Sequence, residues 1–137
     1  MTDPVQNAAV AAVAAPDSAA HWLQALLGAT PRRPELFLQA LTHRSAQHEN
    51  NERLEFLGDA VLELVITHFL YDKFPKKPEG ELTALRSALV NAMTLSQVAQ
   101  SLDIGKYLLL SKGEAKDTGR ARSYILADAL EAIIGAI

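Results

Sequence analysis

Residues Asn51 to Tyr71, NERLEFLGDAVLELVITHFLY, form one uninterrupted helical pattern in which carboxylates occupy a side that their neighbours mark for burial. At about 100° per residue, Glu52, Glu55 and Asp59 fall within a sector of about 60°, so a single face presents all of them. Leu54, Phe56, Leu57, Val61, Leu62, Leu64, Val65, Ile66 and Phe69 fill the remaining sides, and a helix that is apolar nearly all round is expected to be central and buried. Ionised carboxylates held side by side in such a setting are costly unless a cation neutralises them. A bound divalent metal is the expected cation. Glu63 continues the acidic face one turn further on, as an outer ligand or, more simply, as a salt-bridged or solvated acid. Gly58 sits mid-helix at a cost of about 1 kcal/mol relative to Ala, which implies a second backbone passing close by.

A second acidic patch lies far along the chain. In Leu126-Ala127-Asp128-Ala129-Leu130-Glu131-Ala132 the acids are neighbours on one helix face, again in apolar surroundings with Ile125, Leu130, Ile133 and Ile134. Two buried helices with inward acidic patches can assemble an all-oxygen site of the kind that Mg²⁺ or Mn²⁺ takes. The chain has no cysteine, so a thiolate metal site and a disulfide frame are both excluded, a usage that suits the cytosol. His21, His48 and His68 show no metal-ligand spacing with one another. His43 reads as a hydrogen-bonded histidine beneath the site.

With both blocks in view, the chain resembles a known family. NERLEFLGDAVL and LADALEAIIG, with Leu41-Thr42-His43-Arg44-Ser45 before them and Phe74-Pro75 and Glu79-Gly80 between, closely resemble the catalytic domain of bacterial ribonuclease III, the double-stranded-RNA endonuclease. The likeness spans roughly Ala20 to the last residue. It implies the all-α helical fold of that endonuclease domain, as a homodimer whose two sites each cut one strand and leave staggered ends. It further implies Glu55, Asp128 and Glu131 as metal ligands, with Asp59 and Glu131 the acids most needed for catalysis. Glu52 and Glu79 become supporting acids that bind through water or shape the substrate groove. Mg²⁺ is the implied cofactor, with Mn²⁺ as a substitute, and the products are 5′-phosphate and 3′-hydroxyl ends in the processing of ribosomal and other structured RNA in the cytoplasm. Phe56 resembles the aromatic that plugs into a socket on the other subunit, although on its own it reads as a core aromatic. Arg53 could pair with an acid within its subunit or across that interface.

The rest of the chain reads in order. Residues 1–19 carry an alanine-valine run too short to span a membrane and with no basic start, and are expected to be a flexible tail. Asp17 or Ser18 can cap a first helix holding Trp22, Leu23, Leu26 and Leu27, with Gly28 as its stop. Pro34 suits the first turn of a second helix running to about Arg44. Pro75 ends the central helix, where Lys73, Lys76 and Lys77 complement its negative end. A fourth helix is expected from Glu79 to about Gln100, a turn region from Asp103 to Ser111, and a last helix from Ser123 to Ile137. No segment alternates well enough to be a strand. Lys112, Lys116, Arg120 and Arg122 stand in a glycine-punctuated polar stretch before the second acidic block, either as a solvated loop or as contacts to an RNA backbone. The last helix has no stop residue, so residues 20–137 are expected to be a catalytic domain cut short at its carboxyl end, without the double-stranded-RNA-binding domain of bacterial members.

The net charge of −3 looks unsuited to a nucleic-acid enzyme. Setting aside the six matching acids leaves ten against thirteen Lys and Arg, a modestly basic remainder compatible with phosphate contacts. Duplex RNA, with its deep and narrow major groove, is then read by shape, phosphates and 2′-hydroxyls. No nucleotide cofactor is expected, since there is no GxxxxGK[ST] loop, and Gly-x-Ser-x-Gly is missing too. Two other readings compete: a non-catalytic relative that binds RNA without cutting, and a helical scaffold whose acids only make salt bridges. Intact acids at all six positions count against the first.

Overall fold

Most of the helical periodicity in the sequence is realised in space. The computed structural model describes residues 10–12 and 16–137, with element order β1 (Val10–Ala12), α1 (Pro16–Leu27), α2 (Pro34–Ala40), α3 (Glu52–Lys73), α4 (Glu79–Leu89), α5 (Ala92–Ser101), a 3-10 turn (Ile104–Lys106), β2 (Leu109–Ser111), α6 (Lys112–Lys116) and α7 (Arg120–Ala136). The all-α class therefore holds, with one addition. β1 and β2 pair antiparallel, Val10 opposite Ser111 and Ala12 opposite Leu109, so a two-stranded ribbon exists where no strand was expected. Three-residue strands are too short to show an alternation. Of the expected tail, residues 1–9 and 13–15 lie outside the described residues, while Val10–Ala12 form β1 and α1 begins at Pro16.

The core is built around α7, not around the longest helix. Ile125, Leu126, Ala127, Ala129, Leu130, Ala132, Ile133 and Ala136 of α7 are buried, each Leu or Ile contributing roughly 1.5–3 kcal/mol. Around them pack Leu23 of α1, Phe37, Ala40 and Leu41 at α2, Leu95 and Ala99 of α5, and Ile104, Leu108 and Leu110. By contrast, only Gly58 and Leu70 of α3 are buried, and Phe56, Leu57, Val61, Leu64, Val65 and Phe69 are exposed. The expectation of a central, buried α3 is corrected accordingly: α3 packs on α7 and α4 and turns much of its apolar surface outward. An all-round apolar pattern cannot tell burial inside a domain from an apolar face presented to something else.

Local chemistry explains the boundaries. Gly28 stops α1 with φ 67°, the left-handed region that favours glycine. Trp22 of α1 donates from Nε1 to the Leu102 carbonyl at 2.9 Å and stacks on Tyr107 at 4.5 Å between centroids. α2 ends four residues before Arg44 because the chain after Ala40 is drawn to β2: Leu109 donates to the Leu41 carbonyl at 2.9 Å and His43 to the Leu109 carbonyl at 3.0 Å. The expected helix from Glu79 to Gln100 is two helices. Asn91 divides them, its Oδ1 accepting from the Thr94 amide at 3.0 Å while its Nδ2 donates to the Ala88 carbonyl at 2.9 Å. One side chain thus starts α5 and satisfies an end carbonyl of α4.

The expected close approach at Gly58 is present and reciprocated. A methyl group on Gly58 would overlap the Glu131 carbonyl, and one on Gly135 would overlap the Leu54 carbonyl, so α3 and α7 cross backbone against backbone. Propensity alone favours Ala over Gly by about 1 kcal/mol in a helix; the overlap opposes this more strongly. Gly58→Ala is expected to lower unfolding stability by about 2 kcal/mol or more in a denaturant titration, and an unchanged midpoint would contradict the close crossing.

Candidate active site

The crossing of α3 over α7 brings the two acidic patches together. Glu55, Asp128 and Glu131 each offer a carboxylate oxygen, and these oxygens all lie within 4.8 Å of one another, with each residue half-buried. Asp59 stands exposed at the rim, close enough that its charge acts on both Glu131 and Glu55. Glu52, on the opposite side, acts on Glu55. Nothing but oxygen is on offer, which suits a hard divalent cation.

The electrostatics show the cost of the arrangement. Glu131 is pushed up to about 7, by burial first and then by the charges of Asp59, Asp128 and Glu55. Burial also raises Glu55, with Asp128, Glu52 and Asp59 adding to the rise and Arg44 opposing it. Asp128 is raised by burial, again against Arg44. Each carboxyl resists ionisation because it is partly withdrawn from water, and Glu55 and Glu131 also because they face other acids. The residues present therefore fit a cation.

Beside the cluster opens a cavity of about 600 Å³, lined in part by His43, Arg44, Glu52, Glu55, Tyr124 and Asp128. Its far wall is braced by hydrogen bonds. His43 Nδ1 meets Ser45 Oγ at 2.8 Å, the Ser111 amide donates to that same Oγ at 3.0 Å, and the Glu114 amide donates to Ser111 Oγ at 3.3 Å. His43 is thus the hydrogen-bonded histidine expected, with its pKa lowered chiefly by burial. Asn51, also in the wall, is buried and donates from Nδ2 to the Ala40 carbonyl at 3.2 Å, which pins the start of α3 to the end of α2.

Other anticipated residues fall elsewhere. Glu79 opens α4 and lines a crevice with Thr67, Leu70, Tyr71 and Arg86, outside the acid cluster. Glu63 pairs with Arg86 at 3.1 Å, the simpler of its two readings. Phe56 is 83% exposed, so it is no core aromatic of this chain. Lys112 and Lys116 lie exposed on α6 and Arg120 on the start of α7. Arg122 does not join them: one guanidinium nitrogen, Nη1, is shut off from solvent without a partner, and the other, Nη2, lies near Gly105. Its setting differs from that of the other three because α7 begins before it and carries it, half-buried, beside the turn that follows α5. The cavity residues Arg44, Asn51, Glu114 and Tyr124 were missed as site residues. Arg44 and Asn51 had a signal, standing within the Leu41 to Ser45 block and at the head of NERLEFLGDAVL; Glu114 and Tyr124 had none.

Comparison with known proteins adds an independent line. A family model described as Ribonuclease-III-like matches residues 33–137. Ribonuclease 3 of Methylococcus capsulatus is 54% identical over 111 residues, which cover 81% of this chain and 48% of the relative. The chain spans about half the length of the curated relatives it matches. Among solved structures, a nuclease domain of ribonuclease III from Campylobacter jejuni superposes with TM-score 0.79 at 47% identity, covering 84% of this chain and 81% of that one; the region involved in its dimer formation is structurally flexible. Dicer from Pichia stipitis superposes with TM-score 0.56 at 37% identity, covering 74% of this chain and 42% of that one.

The raised carboxyl of Glu131 has a consequence for stability. A group that ionises later folded than unfolded keeps its proton in the folded chain between about 4.5 and about 7, so metal-free stability from this group falls as pH rises through that window. Glu131→Gln, which carries no charge at either end, escapes the fall. In EDTA the variant is expected to gain melting temperature over the wild type as pH goes from about 5 to about 8; a gap independent of pH would contradict the crowding of charge.

Proposed function

The chain belongs to the ribonuclease III family, and from that premise we propose that it is the metal-dependent endonuclease part of an enzyme that hydrolyses double-stranded RNA. The observation that carries the reading is the convergence of Glu55, Asp128 and Glu131 within 4.8 Å, against the burial that raises the pKa of each and the neighbouring charges that raise Glu55 and Glu131 further. The products are 5′-phosphate and 3′-hydroxyl ends with staggered cuts, in the processing of ribosomal and other structured RNA in the cytoplasm.

Glu55, Asp128 and Glu131 would hold Mg²⁺, or Mn²⁺ in its place, through their ionised carboxylates. When bound, the ion supplies Lewis acidity toward the attacking water and counter-charge for the phosphate and the leaving oxygen. Asp59, exposed at the rim, orients the attacking water and accepts its proton, while Glu131 would be one of the acids that hold the ion. Glu52 and Glu79 act as supporting acids, Glu52 beside the cluster and Glu79 from the crevice between α3 and α4, where it helps to shape the substrate groove. Lys112, Lys116 and Arg120 contact the RNA backbone, whose phosphates and 2′-hydroxyls are what a duplex offers. The exposed apolar side of α3, with Phe56, Leu64 and Val65, belongs against a second copy, so the working form is a homodimer. Among the described residues no helix is long and apolar enough to cross a membrane.

Long duplex RNA is expected to be cut in Mg²⁺, and to be bound with little turnover in Ca²⁺, whose looser shell does not impose the octahedron of Mg²⁺. Glu131→Ala is expected to abolish cleavage while its metal-free melting temperature stays level or rises, since a crowded charge is removed. A duplex left intact in Mg²⁺ would favour the non-catalytic RNA-binding reading. Replacing Phe56 by Glu is expected to shift the sedimenting species from dimer to monomer; an unchanged dimer would remove Phe56 from the interface.

A further inference from the structure

The cavity beside the acids has an acidic wall and an open mouth, an odd container for a polyanion. Glu52, Glu55, Glu114 and Asp128 all line it, and Arg44 is the one Lys or Arg among its described lining residues. The side chain of Arg44 is 73% exposed, and its only described ion pair is a long one, 3.9 Å to a Glu52 that is itself 56% exposed. Exposed pairs of that kind hold little, so most donors of the guanidinium fork are available. Its charge nevertheless reaches both Glu55 and Asp128.

The backbone that carries Arg44 is fixed on both sides. On one side Thr42 Oγ1 donates to the Leu38 carbonyl at 2.7 Å. The His43 amide donates to the Leu109 carbonyl at 3.0 Å. On the other side Ser45 Oγ accepts from the Ser111 amide at 3.0 Å. A planar fork on a braced loop, lining the same cavity as Glu55 and Asp128, has the chemistry to hold a phosphate through two parallel bonds.

We propose that Arg44 is a substrate-positioning residue, whose guanidinium holds the backbone phosphate next to the scissile one and so sets the scissile phosphate against Glu55, Asp128 and Glu131. This rests on the nuclease reading above. Arg44 joins the substrate and leaves the ion's own ligands unchanged, which separates it from a mere counter-charge for the acids.

Single-turnover cleavage of a duplex in saturating Mg²⁺, with the full chain as wild type, Arg44→Ala and Arg44→Lys, tests the assignment, alongside direct titration with Mn²⁺. The Ala variant is expected to cut about a hundredfold more slowly, the scale on which loss of one preorganised donor is felt. Arg44→Lys should recover only part of that, because an ammonium cannot make the paired bonds. Mn²⁺ affinity should not weaken in either variant. Cleavage by Arg44→Ala within about twofold of wild type would overturn the proposal, as would a loss of Mn²⁺ affinity that accounts for the loss of rate. Should the Ala variant melt early, Arg44→Lys carries the comparison: a rate equal to wild type then counts against the paired phosphate contact. A wild type that does not cut duplex RNA would instead sink the nuclease reading, and the role of Arg44 with it.

Discussion

Two glycines allow α3 and α7 to meet without side chains between them, and the rest of the molecule is arranged to keep that contact. Helices usually pack about 8–10 Å apart, with side chains filling the space. At Gly58 and Gly135 there is no room for a methyl group on either side. Glu55 and Asp59 flank Gly58 on α3, while Asp128 and Glu131 stand within two turns before Gly135 on α7, so the close crossing is what carries acids distant in sequence into one cluster. The repulsion it creates is opposed by the burial of α7 among α1, α2 and α5. The helix with the most buried side chains therefore anchors the most crowded charges.

Much of this could be read from residue spacing. The acidic faces follow from the helical repeat, and the cost of Gly58 in a helix interior signalled a passing backbone. What could not be read is which helix would own the core. α3 and α7 are both apolar over most of their circumference; α7 is enclosed by its neighbours and α3 is not, a difference that depends on how the other helices stack. Asn91 shows a second limit. Its capping bonds split one expected helix into α4 and α5, but an Asn inside an otherwise periodic run can equally well be solvated.

Of the site, the carboxylates were legible because their chemistry is unusual wherever it occurs among apolar residues. The cavity wall was not. Asn51 acts through one bond to the end of α2, and Glu114 and Tyr124 enter the wall only because β2 and the start of α7 return beside the Thr42 to Ser45 loop. Arg122 went the other way: a cation in a polar stretch reads as surface, yet α7 begins before it and rotates it toward Gly105. Such outcomes depend on helix phase, which a shift of one residue at the start of an element changes by about 100°.

The chain has a single tryptophan, and it sits in the clasp between α1 and the turn after α5, bonded to Leu102 and stacked on Tyr107. Its indole fluorescence is therefore a local gauge of whether the amino-terminal helix is docked. The acid cluster lies on other elements, so optical signals from the two regions separate: emission follows the undocking of α1, and an ion settling among the carboxylates must be observed by other means.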